Sequence, residues 1–224
     1  AVSAFFAKKD SVGAIPVLIE AVKVSPDEPY FLVNLVNIYQ QSGKEAEANK
    51  LLDDRLAANP QDATALLVKG SILEDKDLKS ALGWYYKAAK ADPSNTNAFI
   101  YLGAGLYNAA AKLYENSEVT QATSKMANDL LKAALPALEI AYKSRPDNIK
   151  GILGSIYYQM DMKDKREALD AGTLEVGNPT LPDLTDLLQN LDLTVTKKAP
   201  AAVEPVEQPA QKTTTKKAPA KRRK

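Results

Sequence analysis

The side chains in this sequence that could carry out acid–base chemistry are carboxylates, because the chain contains neither histidine nor cysteine. Histidine is the commonest general base and transition-metal ligand, and the cysteine thiolate is a common nucleophile and metal ligand. Two runs bring carboxylates close together, LDDR at 52–55 and EDKD at 74–77. Such pairs could act as a general acid and base or hold a divalent cation. We interpret both runs as solvated charge at hairpin turns and helix ends.

The sequence motifs of common enzyme classes give no alternative chemistry. The sequence has no GxxxxGK[ST] and no GxSxG, and the GAG at 103–105 falls inside a helical pattern. We therefore predict no catalytic residue, no metal site and no cofactor, and we expect that the chain is not an enzyme. No apolar run approaches the roughly 20 residues that a transmembrane helix needs.

A ladder of residues recurs four times and indicates how helices are built here. A small residue is followed four positions later by a large one, seven later by a third residue and twelve later by proline. The copies are Ala14, Leu18, Ala21, Pro26; Ala48, Leu52, Arg55, Pro60; Ala81, Tyr85, Ala88, Pro93; and Ala134, Leu138, Ala141, Pro146. Apolar stripes with helical spacing precede the last three copies, and two of them contain a glycine, Gly70 or Gly103. Small residues let two helices approach closely, the large residue fills the gap, and proline ends the second helix.

This pattern resembles the tetratricopeptide repeat, a helix–turn–helix unit of about 34 residues with a W-x2-L-G-x2-Y…A-x3-F…P signature. The runs FIYLGAGL at 99–106 and ALGWYYKAAKADP at 81–93 carry the resemblance, which covers roughly residues 1–170. It implies an all-α fold, a right-handed superhelical solenoid of antiparallel helix pairs. The first copy keeps only AVSAFFAKK of its first helix, so we expect more protein upstream.

The fourth copy is longer than the others by about 19 residues, which predicts two lengthened helices that turn near 116–123. Some bacterial members of the family are similar in having such an elongated late repeat. Pro136 falls inside the second long helix, where it predicts a kink, with a hinge as the alternative. The organisation we expect is a solenoid over 1–172, its long-hairpin repeat at about 96–146, a capping or linker segment over 173–194, and a disordered basic tail over 195–224. An amphipathic piece at 184–191 could cap the last hairpin, which we favour, or dock a partner.

Charge divides the chain into two parts of opposite sign. Residues 197–224 carry a net charge of +7 and residues 1–196 a net charge of −6. The basic residues of the tail that could contact phosphate are Lys216, Lys217, Lys221, Arg222, Arg223 and Lys224. The tail contains no aromatic residue, so it offers no base stacking. It could alternatively fold back on the acidic body.

The resemblance also implies a site, because the first helix of each unit in this family lines a concave groove that binds extended peptides or helices. Asparagine can both donate to and accept from a peptide backbone, and tyrosine adds flat apolar area with a polar tip. The residues that the resemblance assigns to the groove are Tyr30, Val33, Asn34, Asn37, Gln40, Thr64, Leu67, Ser71, Glu74, Asn97, Ile100, Tyr101, Ala104, Tyr107 and Asn108. The carboxylate clamp of chaperone-type members is absent, since its basic positions fall on Val33, Asn97 and Tyr101.

Two classes of function follow from these observations. The favoured hypothesis is a non-enzymatic scaffold or adaptor that binds a protein or peptide partner in the groove. The alternative is weak, non-specific association of the basic tail with nucleic acid or another anionic surface. The sequence does not identify the partner or the compartment, although the resemblance favours the bacterial cell envelope or periplasm over the cytoplasm.

Overall fold

The computed structural model describes residues 12–26, 28–116 and 119–193, and these residues form helices and no strand. A 3-10 turn at Val12–Ala14 leads into the first of ten α-helices. In chain order they are α1 Ile15–Val24, α2 Pro29–Gln41, α3 Glu45–Ala58, α4 Ala63–Leu73, α5 Leu78–Ala91, α6 Thr96–Asn116, α7 Gln121–Tyr142, α8 Pro146–Gln159, α9 Lys163–Ala171 and α10 Thr185–Asn190. The expectation of an all-α repeat fold is confirmed for the part of the chain that the structure describes.

The repeated ladder lies on α1, α3, α5 and α7, the second helices of successive pairs, and each of these helices ends before the ladder proline. Its large residues, Leu18, Leu52, Tyr85 and Leu138, are completely buried. A Cβ atom added to Gly70 of α4 would lie 2.4 Å from Tyr85 Cε1, and one added to Gly103 of α6 would lie 2.5 Å from Leu138 Cγ. The glycine of the first helix therefore receives the large ladder residue of the second.

Arg55 occupies the third ladder position of its copy, where the other copies have alanine. Its Nε donates to Asp62 Oδ2 at 2.8 Å and its terminal nitrogen donates to the carbonyl oxygen of Pro26 at 2.9 Å. The same Asp62 accepts from the backbone N–H of Ala65 and so caps α4. Arg55, near the end of α3, therefore links Pro26, which lies just after α1, to the N-cap of α4, Asp62.

The long hairpin consists of α6 and α7, which pack along each other, and its turn falls between Asn116 and Gln121, within the predicted stretch. The turn leads into a capping box in which Thr120 accepts from the backbone N–H of Thr123 and Thr123 accepts from that of Thr120. Helix α7 continues through Pro136 to Tyr142.

The core forms two clusters that meet around α4. The smaller one runs from Ala14 to Val68, the larger one extends from Leu66 to Leu191, and Leu56 packs against both. Each helix pair is thus buried against its neighbours, as expected for a repeat array.

Residues 173–193, which we call the strap, lie at a different place from the one that the sequence predicted. The sequence favoured a helix at 184–191 that caps the last hairpin, but α10 packs against α5 in the middle of the array. The strap returns along the second helices: Lys143 donates to Asn178 Oδ1 at 3.1 Å and Tyr86 donates to Asp183 Oδ1 at 3.2 Å. Its leucines at 184, 188 and 191 are buried in the larger core cluster, so apolar burial on α5 decides where the helix lies.

Candidate functional site

The two carboxylate runs are held by structural contacts. Asp53 and Asp54 lie inside α3, not at a turn as expected, and form ion pairs with Lys69 and Lys50. Asp77 lies at the predicted turn and caps α5 by accepting from the backbone N–H of Ser80 at 3.0 Å. The Ser80 hydroxyl and then its N–H lower the pKa of Asp77, because both stabilise the ionised carboxylate.

The described helices have neither a metal-binding cluster nor a membrane-spanning character. Over residues 12–26, 28–116 and 119–193, no group of three or more His, Cys, Asp or Glu side chains is arranged to hold a metal ion. None of the helices described is both long and apolar enough to cross a membrane. The basic tail residues from Lys216 to Lys224 lie outside the described residues.

The face predicted to bind a partner is made by the first helices of the pairs, α2, α4 and α6. On α2, Tyr30 is 48% exposed and Asn37 is also exposed. The side chain of Asn34 donates to the carbonyl oxygen of Tyr30 at 2.7 Å, so this amide is partly used within its own helix. The exposed phenol and amide of α2 are therefore available to a ligand.

Two predicted residues, one at the C-terminal end of α4 and one on α6, meet at Tyr85, a buried residue that sequence reasoning assigned to packing alone. Its hydroxyl donates to Glu74 Oε2 at 2.7 Å, and its ring lies 5.3 Å from that of Tyr101, centroid to centroid. Burial first, and then the hydrogen bond to Glu74, raise the pKa of Tyr85 above its usual range. Glu74 also shares a cavity of about 260 Å³ with Asn108. Buried Tyr85 therefore contacts both Glu74 and Tyr101 and helps to position their side chains.

The remaining predicted residues differ in how far they reach solvent. Asn97, Tyr101 and Asn108 on α6 are exposed, and so is Ser71 on α4, whose hydroxyl donates to the carbonyl oxygen of Val68. The others are half-buried: Val33, Gln40, Thr64, Leu67, Ile100, Ala104 and Tyr107. Of these, the apolar side chains of Val33, Leu67, Ile100 and Tyr107 pack against the core. The structure thus separates an exposed amide-and-tyrosine layer from an apolar floor.

Sequence reasoning missed a second concave feature, which we call the Trp84 cleft. It lies among α3, α4, α5 and α10 and has a volume of about 860 Å³. Trp84, the single tryptophan of the chain, lies in its wall with Lys69, Lys87 and Lys90 around it. The signal in the sequence was a tryptophan with lysines three and six positions later. The contribution of α10 comes from two residues, Thr185 and Leu188, that follow Trp84 by more than 100 positions, which no local pattern reveals.

The helix pairs and their interlocking glycine and ladder residues define a helical-repeat protein. Residues 5–72 match the family model of the tetratricopeptide repeat, so this part of the chain is similar to that family. The match supports the resemblance to this family, which the sequence analysis drew from the runs at 81–93 and 99–106, outside the matched residues. Repeats of this family generally mediate protein–protein interaction.

Relatives and solved structures agree with this assignment. The chain is 29% identical over 105 residues to the human Protein O-mannosyl-transferase TMTC3, a match that covers 46% of this chain and 11% of that protein. The human IFIT1 dimer with m7Gppp-AAAA superimposes with a TM-score of 0.55 at 18% identity, covering 73% of this chain and 40% of that one. The IFIT1 dimer with PPP-AAAA gives a TM-score of 0.51 over the same shares. At such identity the IFIT1 structures show the shared fold alone.

Proposed function

We propose that this chain is a non-enzymatic scaffold or adaptor that binds an extended peptide or a helix of a protein partner across α2, α4 and α6. The observation that carries the proposal is a set of exposed amides without intramolecular partners. The side chains of Asn37, Asn97 and Asn108 form no hydrogen bond among the described residues, and exposed tyrosines lie on the same two helices. An amide can donate to a peptide carbonyl and accept from a peptide N–H at once.

The half-buried residues beneath this layer favour a ligand that also presents apolar side chains. Leu67, Ile100 and Tyr107 pack against the core from below and leave part of their surface accessible. A ligand that covers them removes apolar surface from water, which contributes roughly 25 cal/mol per Å². Amides would then fix the backbone while the floor receives side chains, so both an extended peptide and an amphipathic helix suit the face.

The proposal is tested by selecting peptides from a random library against the parent protein and measuring their affinity for variants. We expect Asn37→Ala combined with Tyr101→Ala to lose the selected peptides, because it removes one exposed contact from each end of the face. A matched control is Asn128→Ala combined with Tyr158→Ala, which changes an exposed asparagine of α7 and an exposed tyrosine of α8. Circular dichroism should show equal helicity in all three proteins.

Full retention of the peptides by the Asn37 and Tyr101 variant would refute binding at this face.

A truncation after residue 193 distinguishes the proposed adaptor from the nucleic-acid alternative. An adaptor keeps its peptide affinity without residues 194–224. A protein whose function resides in its tail instead binds generic duplex at low salt as the full chain and loses that binding on truncation, with a steep dependence on salt in the intact protein.

A further inference from the structure

The Trp84 cleft lies among α3, α4, α5 and α10, shares no lining residue with those assigned to the α2, α4 and α6 face, and has the size of a ligand site. Its volume of about 860 Å³ falls within the range of roughly 300 to 1,000 Å³ common for binding pockets. Apolar wall comes from Leu56, Leu66, Trp84 and Leu188. The cleft therefore offers both depth and apolar surface.

The charges around the cleft are mostly positive. Lys87 lies 4.5 Å and Lys69 4.9 Å from the Trp84 ring centroid, and Lys90 lies 5.2 Å from that of Tyr86. Lys69 is neutralised by Asp53, the acid in the cleft wall. Lys87 and Lys90 form no ion pair among the described residues. Lys90 lies near enough to Asp183 of the strap to help lower the pKa of that carboxyl. An anionic ligand can thus pair with Lys87 and share Lys90 with the strap, beside an aromatic wall.

The strap shows what kind of segment this surface holds. It contains four acidic residues and no basic one, with leucines between them. Leu184, Leu188 and Leu191 are buried, Asp183 accepts from the Tyr86 hydroxyl, and Lys79 donates to the carbonyl oxygen of Gln189 at 2.9 Å. An acidic, leucine-containing segment is therefore already bound along α5, and the cleft lies beside that segment at Thr185 and Leu188.

Gly83 is one of the residues that line the cleft. It lies in the middle of α5, where glycine weakens a helix, and a Cβ atom added to it would meet nothing within 4 Å. Gly70, Gly103 and Gly105 differ, because each receives a side chain that a Cβ would touch. Packing within the described residues does not require glycine at position 83, as it does not at Gly151 of α8, but only Gly83 of the two lines the cleft, where the space beside it is open to a ligand.

We propose that the Trp84 cleft binds a short acidic segment of a partner protein, with a leucine or other large apolar side chain seated against Trp84 and carboxylates paired with Lys87 and Lys90. The strap's Leu188 forms one wall, so the site requires the C-terminal segment to be in place. Occupancy is independent of the α2, α4 and α6 face, and one chain can therefore hold two segments at once.

The chain contains a single tryptophan, so its fluorescence reports directly on the cleft. The probe is a short synthetic peptide with several Asp and Glu residues around two leucines, titrated into the full chain. We expect a saturable change in Trp84 emission that weakens at high salt. The change should be lost when the peptide leucines are replaced by alanine or its acids by lysine.

Variants locate the site on the cleft. Lys87→Gln combined with Lys90→Gln should weaken the peptide by about tenfold, since two charge-assisted contacts are removed. The matched control is Lys132→Gln, an exposed lysine of α7 without an ion pair among the described residues. Gly83→Leu should occupy part of the cleft with its side chain and weaken the binding of the peptide, whereas Gly83→Ala should leave binding nearly intact. Both variants should keep the helix.

Several outcomes would overturn the proposal. These are an absence of saturable change, equal binding of the alanine-substituted peptide, or unchanged affinity in the Lys87 and Lys90 variant. Tighter binding of single-stranded RNA than of the peptide, with the same dependence on both lysines, would assign the cleft to nucleic acid instead. The Asn37 and Tyr101 variant should bind the acidic probe normally, so failure of this site and failure of the proposed scaffold face are distinguishable.

Discussion

Replacing Gly103 by alanine tests the packing between the two long helices. The added Cβ would lie 2.5 Å from Leu138 Cγ, 2.7 Å from Cδ2 and 3.3 Å from the backbone nitrogen of the same residue. Leu138 is completely buried and Cγ is its branch point, so the side chain cannot simply rotate away. Overpacking of this kind costs about 1–3 kcal/mol.

Alanine also raises the helix propensity at this position by about 1 kcal/mol. The net effect of Gly103→Ala is therefore a loss of roughly 0–2 kcal/mol in the free energy of unfolding. Gly83→Ala has the same gain in propensity and meets nothing within 4 Å. Comparing the two variants cancels the propensity and leaves the packing cost, a difference of about 1–3 kcal/mol in favour of Gly83→Ala.

Urea denaturation followed by circular dichroism measures both variants against the parent. For a chain of this length the difference corresponds to roughly 2–12 °C in the midpoint of thermal unfolding. Gly151→Ala in α8 is a second control, because its Cβ also meets nothing within 4 Å. If Gly103→Ala proved as stable as both controls, the interlocking of glycine with the large ladder residue would be refuted.

Two further predictions concern pH. Burial and then a hydrogen bond to a glutamate raise the pKa of Tyr85 and of Tyr157, so their neutral forms stabilise the fold below the ordinary tyrosine pKa of about 10, and that stability is lost as the pH rises. In an absorbance titration two of the ten tyrosines should ionise only as the chain unfolds, and early ionisation of all ten would contradict this. Hydrogen bonds from the side chain of Thr185, then from its N–H, and then from Tyr86 lower the pKa of Asp183. The ionised carboxylate therefore stabilises the docking of the strap above the ordinary pKa of about 3.9. Docking weakens as the pH falls below that value and Asp183 becomes protonated. Trp84 emission should report this acid release at a higher pH in Tyr86→Phe than in the parent, and an identical acid transition in both would contradict the role of Tyr86.

Much of the fold could be predicted because its determinants are local. The ladder spacing, the proline after each second helix and the long stretch without glycine or proline each act within a helix or between neighbours in sequence. Gly70 and Gly103 could be assigned to close contacts on the same ground, since the helix that packs on each follows within one hairpin. The exposed residues Asn37 and Tyr101 could be placed on first helices, but their role as ligand contacts stays a prediction.

The sequence by itself determined the helix pairs, the interlocking of glycine with Tyr85 and Leu138, and the division of charge between body and tail. Tertiary structure alone decided the path of the strap, because the last helix of six residues has no partner nearby in sequence and instead packs on α5, with the strap leucines 184, 188 and 191 buried. It also decided the Trp84 cleft, whose walls come from four helices. The ladder residues make contacts between neighbouring helices, so their spacing repeats in the sequence and can be recognised there. The cleft is closed by a distant segment, whose position depends on which apolar surface the folded helices leave uncovered.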